Sequence, residues 1–389
     1  MDYESAKDTA ARLGVTPRAV QKWAKDGKLT GAKRIGREWL IPADAEPARK
    51  TESVAKTALG HQLMPVLSSD FEPGHFIEMI GDIADDVDRD IANAEYSYYK
   101  GDAEKAVEIL EPYLDNEDFA VSLSANFIYT FANLNLGKIY LAKLGLKNTE
   151  SCVRNAIRQE NPVIRAYGVL VGNAVAVLLH RDMADFPKVE SVMAVLPEGL
   201  RLFGAYLVAH RLCLEKDFSR SVGVAEICLA MKQARYPVAS LYLKLMRCVG
   251  YMGLKQSKKA KACFTDINCV ALSEKFYQPF VEHHSLLQGI IESELKRNYP
   301  VAYSDIVALV QNFSTSWSIV HNEITRNSVT IILTATEFVV AMLFNRGWSV
   351  KEISAHMDVS PRMVKHHLSV TYEKLGVSNR EELGAFLLK

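Results

Sequence analysis

Near its C-terminal end the 389-residue sequence reads SPRMVKHHLSVTYEKL from Ser360. Arg362, Lys365, His366 and Ser369 recur at steps of one to three, so on an α-helix they share one broad face. That face offers a guanidinium, an ammonium, an imidazole and a hydroxyl. Such a set donates to anionic oxygens and to the acceptor edges of nucleobases, Arg and Lys suiting guanine or phosphate, His and Ser suiting either. Val364, Leu368, Thr371 and Leu375 form the opposite, inward stripe. On its own the polar set is equally the solvated face of an amphipathic helix, so the elements that seat the stripe decide between the two.

Those elements are written in caps. Thr334 with Glu337, and Ser349 with Glu352, each make the S/T-x-x-E box in which side chain and backbone satisfy each other at a helix start. Ser360-Pro361 is a third start, a capping residue followed by a residue whose φ suits the first helical position. Only Asp358 and Val359 separate the second helix from the third, the tight corner of a helix-turn-helix, whose second helix enters a major groove.

The stretch from Leu333 resembles the LuxR-type (GerE-like) DNA-binding domain. The features that carry the resemblance are LTxxE, Gly347-x-Ser349, Glu352-Ile353, Ser360, Val364-Lys365, His367, Lys374-Leu375-x-Val377 and Arg380. It implies that the third helix reads DNA and that a fourth, from Arg380 to Leu388, supports dimerisation. The DNA contacts expected at this end are Ser360, Arg362, Lys365, His366, Ser369 and Lys374. Met363 stands where the family usually has a phosphate-contacting Thr, and Ser354 where it has a small Ala.

The same corner is written a second time. DTAARLGVTPRAVQKW from Asp8 aligns with EISAHMDVSPRMVKHH from Glu352, with Val15, Pro17, Arg18 and Val20 matching Val359, Pro361, Arg362 and Val364. Gly14 supplies the left-handed position that Asp358 must tolerate at some cost. Gln21, Lys22 and Lys25 fall where Lys365, His366 and Ser369 do. GKLTGAKRIGREWLIP then predicts two short strands carrying Lys33, Arg34 and Arg37, a basic wing for the phosphate backbone, with Trp23, Trp39, Ile35 and Ile41 closing a small core. Residues 1–44 resemble the winged helix-turn-helix of the excisionase and MerR groups; Arg18, Gln21, Lys22, Lys25, Arg34 and Arg37 are the expected contacts, and some domains of this type bind proteins instead.

Between these ends, Pro42, Pro47, Pro65 and Pro73 predict a linker over 45–75 with at most one short helix. From 76 to 330 helix follows helix, with breaks at Gly101-Asp102, Asn161-Pro162, Pro197, Asp217, Tyr236-Pro237, Gln256 and Tyr299-Pro300. Ala94 and Ala106, Ala209 and Ser221, and Cys248 and Ala260 place small residues where paired helices would touch. The pattern resembles tetratricopeptide hairpins, whose stacking creates a concave face for a partner or effector. Tyr96, Tyr98, Tyr99, Tyr129 and Tyr140 are expected in the core, with a pocket lining as the alternative.

Net charge is zero, but basic residues outnumber acidic ones at both ends and are outnumbered in the middle. The longest apolar run, YGVLVGNAVAVLL, falls short of the roughly 20 residues that span a bilayer. The N-terminus has no apolar signal, and the six cysteines form no C-x-x-C pair, so a cytoplasmic protein with reduced thiols is expected. His283-His284 are adjacent on a helix and point apart, which disfavours joint metal binding. No P-loop, G-x-S-x-G or H-E-x-x-H motif occurs, so neither catalytic residue, cofactor nor metal is expected.

The expected architecture is mainly α: winged helix-turn-helix 1–44, linker 45–75, tetratricopeptide-like array 76–330 and LuxR-type helix-turn-helix 331–389. The expected function is a bacterial-type transcription regulator, without enzymatic activity, that binds double-stranded DNA as a homodimer and answers a protein or small-molecule effector, with no membrane partner. A scaffold whose ends dock on proteins, and a recombination accessory factor, are the alternatives.

Overall fold

Helix starts fall where the sequence places caps and prolines. The structure is a computed structural model that describes residues 3–25, 29, 31–35, 38–43, 45, 59–181, 186–232, 236–321 and 333–387. It is mainly α, with one small sheet at the N-terminal end.

The N-terminal domain comprises β1 (Tyr3–Ser5), α1 (Ala6–Leu13), α2 (Pro17–Lys25), β2 (Lys33–Ile35) and β3 (Glu38–Pro42). The antiparallel sheet has the order β1-β3-β2, with Tyr3 opposite Pro42 and Lys33 opposite Leu40. The hairpin β2–β3 is the expected wing; β1 was not expected. Three residues leave too short a run for alternation to register, and β1 is held by tertiary contacts: Glu4 accepts from Arg12 at 2.9 Å, and Arg12 also donates to the Ala45 carbonyl at 3.3 Å. Val20 and Ile41 are fully buried at the centre, with Trp23 and Trp39 half-buried around them. The Ile35 side chain and all of Arg37 lie outside the described residues.

The middle is an array of helices: α3 (Pro65–Ser68), α4 (Phe76–Gly81), α5 (Asp86–Tyr99), α6 (Ala103–Leu110), α7 (Phe119–Asn135), α8 (Ile139–Ala156), α9 (Pro162–Leu178), α10 (Glu198–Leu214), α11 (Phe218–Lys232), α12 (Pro237–Gly253), α13 (Ser257–Ala271), α14 (Gln278–Leu287), α15 (Ile290–Asn298) and α16 (Pro300–His321). Asp102 caps α6 and Asn161 caps α9, each through its own side-chain oxygen. All six small residues proposed to sit between paired helices are fully buried. At two pairs the contact is a hydrogen bond: Ser221 donates to the Ala209 carbonyl at 2.8 Å and Cys248 to the Ala260 carbonyl at 3.5 Å. Helix-to-helix approach therefore has the register that the small residues indicate.

One boundary moves. Leu63, Met64, Val66 and Leu67, inside the expected linker, are buried in the array's core. The cause is a buried carboxylate: Glu95 on α5 accepts from the Val66 and Leu67 amides at 2.7 and 3.2 Å, capping this short turn from across the fold. Pro65 starts the one short helix that the linker's composition allowed. Desolvation raises Glu95 to about 8 despite those two donors.

Other buried polar groups are also shared between helices. His283 donates from Nδ1 to the Pro279 carbonyl at 2.7 Å, so its Nε2 accepts from the Tyr206 hydroxyl at 2.9 Å. His210 Nδ1 then donates to the same hydroxyl at 3.0 Å. His284 turns the other way, onto Glu292 at 2.8 Å. Tyr98, Tyr99 and Tyr129 are core residues, and Tyr96 and Tyr140 are half-buried. Cys213 and Cys248 are buried, whereas Cys152, Cys228 and Cys263 are half-buried; all five are free thiols.

The C-terminal domain is α17 (Ala335–Asn345), α18 (Val350–Met357), α19 (Pro361–Leu375) and α20 (Arg380–Phe386). Nothing in its sequence announced that it would dock on the array, yet it does so through α18. His356 donates from Nε2 to the Gln288 carbonyl at 3.0 Å; Lys261 reaches the His356 carbonyl at 3.2 Å and Lys255 the Gly347 carbonyl at 2.8 Å. Gly289, at φ 81°, lets Met357 and Val339 approach the array's backbone. A Cβ there would stand 2.6 Å from both side chains. Gly289→Ala is accordingly expected to lower stability by roughly 2–4 kcal/mol, from left-handed strain plus overpacking, and to expose residues 333–387 to limited proteolysis; urea unfolding and a protease time course measure both.

Burial pushes His283 and His356 down to about 4. Both are neutral when folded and protonate near 6.5 when unfolded, so the unfolded chain binds the extra protons as pH falls. Their stabilisation is complete above 6.5 and is lost progressively toward 4. Because the raised Glu95 and Glu282 act in the opposite sense, the check is by difference: His283→Gln and His356→Gln are each expected to lose about 2 kcal/mol less urea-measured stability than the native chain between pH 7.5 and pH 5.

Candidate nucleic-acid interface

The seat of α19 is built from α17 and α18. Thr334 accepts from the Glu337 amide at 3.3 Å while the Glu337 carboxylate accepts from the Thr334 amide at 2.9 Å; Ser349 and Glu352 repeat the exchange at 3.2 and 2.7 Å. Ser360 caps α19 by accepting from the Met363 amide at 3.2 Å. All three caps therefore form as the sequence indicates. Val364, Leu368, Thr371 and Leu375 are buried beneath the helix.

The corner between α18 and α19 is closed by backbone geometry. Asp358 sits at φ 52° and ψ 44°, in the left-handed region, and Gly14 at φ 65° and ψ 34° does the same between α1 and α2. The Val359 amide donates to the Ser354 carbonyl at 3.2 Å, as the Val15 amide donates to the Ala10 carbonyl at 3.0 Å. Ser354 adds a bond that Ala could not make, its hydroxyl donating to the Val359 carbonyl at 2.6 Å. The substitution that departs from the resemblance thus ties the turn.

On the outer face, Arg362, Lys365, His366 and Ser369 are exposed. Neither Arg362 nor Lys365 has an ion-pair partner among the described residues. His366 lies beside His367, ring centroids 5.9 Å apart, and burial holds His367 below its usual value, with His366 adding repulsion. Met363 is 44% exposed beside this face, an apolar patch at the edge of the donors. The Ser360 hydroxyl oxygen is occupied by the cap, but its proton remains free to donate outward.

Lys374 is a correction. Its ammonium binds both Glu337 oxygens, at 3.0 and 2.7 Å, so it ties α19 to the start of α17 instead of extending the donor face. Burial opposes ionisation of Glu337, yet Lys374 and the Thr334 cap together hold that carboxyl below its ordinary range. Arg380 is likewise turned inward, lying 5.0 Å over the Phe344 ring and donating to the Asn345 carbonyl at 3.2 Å.

At the N-terminal end Arg18, Gln21, Lys22 and Lys25 are exposed on α2, and Lys33 and Arg34 are exposed on β2. Lys33 passes 5.5 Å over the Tyr3 ring, so β1 also steadies the wing. Arg37 cannot be placed with them. The two ends present the same geometry: a capped helix after a left-handed corner, its back buried and its front carrying free donors. Such a front can contact phosphates by charge and base edges by directed hydrogen bonds.

Comparison with known families agrees with this geometry. Residues 331–386 match the family described as bacterial regulatory proteins, luxR family, and residues 5–45 match a family described as a helix-turn-helix domain. No curated protein and no solved structure matches the chain. No helix among the described residues is long and apolar enough to cross a membrane.

The two corners make reciprocal predictions. Asp358→Gly relieves the left-handed penalty and is expected to stabilise by about 0.5–1 kcal/mol, whereas Gly14→Ala, with nothing within 4 Å of the new Cβ, should cost about 1 kcal/mol from φ alone. Urea titration of each variant beside the native chain reads both signs.

Proposed function

We propose that the chain is a sequence-specific transcription regulator that reads double-stranded DNA with α19 and α2 and carries a helical middle that senses an effector or joins two copies. The single observation that supports this most is the docked α19, whose back is locked while Arg362, Lys365 and His366 stay open to solvent. A helix presented in this way fits a major groove without rearrangement. The paired helices of the middle, with small residues buried at each contact, support the tetratricopeptide-like reading, and such arrays hold partners on a concave face. Dimerisation through α20 follows from the LuxR-type resemblance. The reading includes no catalytic step and places the protein in the cytoplasm.

A scaffold that docks on proteins would need no unpaired donors on these two fronts. Selection of bound sites from a random duplex pool separates the two readings, since a scaffold enriches nothing at physiological salt. Lys365→Ala is expected to weaken the selected site by roughly 1–3 kcal/mol, five- to 150-fold, and to relax preference at one base pair. Lys22→Ala is expected to change only the second element and to lower the salt slope by about one. Unchanged affinity in Lys365→Ala would remove α19 as the reader.

A further inference from the structure

A cleft at the junction of the array and the C-terminal domain takes no part in reading DNA. It opens where the end of α9, helices α14 and α16, and the start of the C-terminal domain meet, and it encloses about 820 Å³, open solvent included. Leu178, Val310, Phe313 and Trp317 supply an apolar wall from the array, and Leu333 and Phe338 supply the wall from the C-terminal domain.

One acidic residue, Glu282, lines this space, and it is half-buried. Tyr98 from α5 and Tyr242 from α12, the latter at 2.9 Å, donate their hydroxyls to it, and the Gln278 amide on its own helix also bonds to it. Every one of these donors is neutral. Among the described residues no Lys, Arg or His forms an ion pair with it. The two imidazoles that share the cleft are otherwise disposed: His284 is bound to Glu292, and His180 stands edge-on to Trp317, centroids 5.0 Å apart, pushed by burial down to about 4. Desolvation without a countercharge raises Glu282 to about 7. An acid so placed stays neutral on its hydroxyl and amide partners or ionises against a cation that a ligand brings.

We propose that this cleft binds a small apolar amine, its ammonium paired with Glu282 and its hydrocarbon or aromatic body against Trp317, Phe313 and Phe338. Aromatic side chains line the cleft with Glu282, and rings beside a bound ammonium add cation–π attraction. A carboxylic acid would meet a like charge, and a neutral ligand would leave Glu282 without a counterion. A ligand here touches the array and the C-terminal domain together, which deepens the reading of the middle as a sensor; binding itself does not rest on that reading.

The full-length protein is titrated calorimetrically at neutral pH with phenethylamine, tryptamine and hexylamine, with phenylpropanol and phenylpropionate as neutral and anionic counterparts. The expected result is saturable binding of at least one amine, at least about tenfold tighter than either counterpart. Glu282→Gln should lose about tenfold or more, and Ser314→Phe, which fills the cleft and leaves the carboxylate in place, should abolish binding. The proposal is overturned if none of the three amines binds, or if a neutral or anionic counterpart binds as tightly. Native-like affinity in either folded variant also overturns it. Should Glu282→Gln not fold, as judged by circular dichroism, unchanged binding in Ser314→Phe places the amine elsewhere and overturns it. Amine binding that leaves DNA affinity unmoved supports the site and counts against the effector-gated regulator alone.

Discussion

The hydrogen bond from His356 to the Gln288 carbonyl, beside the bare Cα of Gly289, is the joint on which the C-terminal half is organised. It fuses two hydrophobic cores. Val339, Ile353, Met357, Val364 and Leu368 belong to one continuous apolar cluster with the array, while Leu333, Phe338, Leu375 and Leu383 close a smaller, separate cluster. Helix α19 is therefore seated partly by residues of the array, through α18. A domain tethered only by its chain would lose its orientation to thermal motion; one whose core is shared keeps it.

Which parts of this were legible follows from the range of the forces involved. Caps and corners are local: Thr334, Ser349, Ser360 and Asp358 each act within four residues, and each sits as its sequence context dictates. Burial of Val364 and Leu368 beneath α19 follows from helical periodicity. The failures are all non-local. Leu63 to Leu67 lie in a proline-marked stretch, and distant partners, Glu95 and Ser124, tie them into the core. Lys374 has the charge and surface position of a DNA contact; its partner Glu337 lies one domain corner away. The docking surface, with His356 inside it, reads in the sequence as one more polar position on an amphipathic helix.

Charge is managed differently in the two halves. At the ends, cations on the outer faces of α19 and α2 stay exposed and without acid partners among the described residues, while structural cations such as Arg12, Lys374 and Arg380 are consumed by internal contacts. In the array, burial pushes several titratable groups toward their neutral forms. Glu95 and Glu282 are raised by desolvation, His210 and His283 are depressed by it, and tyrosine hydroxyls bridge several of them. Buried neutral networks keep hydrogen bonds without the cost of a buried ion, and they hold only while every member stays in its protonation state. The net charge of zero conceals this division.

Because the front of α19 is open while α18 is docked, an effector acting on this chain cannot work by unmasking that face. The remaining lever is orientation. A ligand bound between α16 and α17 with different affinity for two placements of the C-terminal domain shifts their ratio by that difference and by nothing more; coupling of about 1–3 kcal/mol is the usual scale. Such a shift matters at DNA only when two readers must engage together, since displacing one alone leaves each single contact intact. Two helices on one chain, or one helix on each of two chains, meet that condition when the half-site spacing matches their separation. On the proposed function, the second corner at Gly14 would supply the second contact that such a mechanism requires.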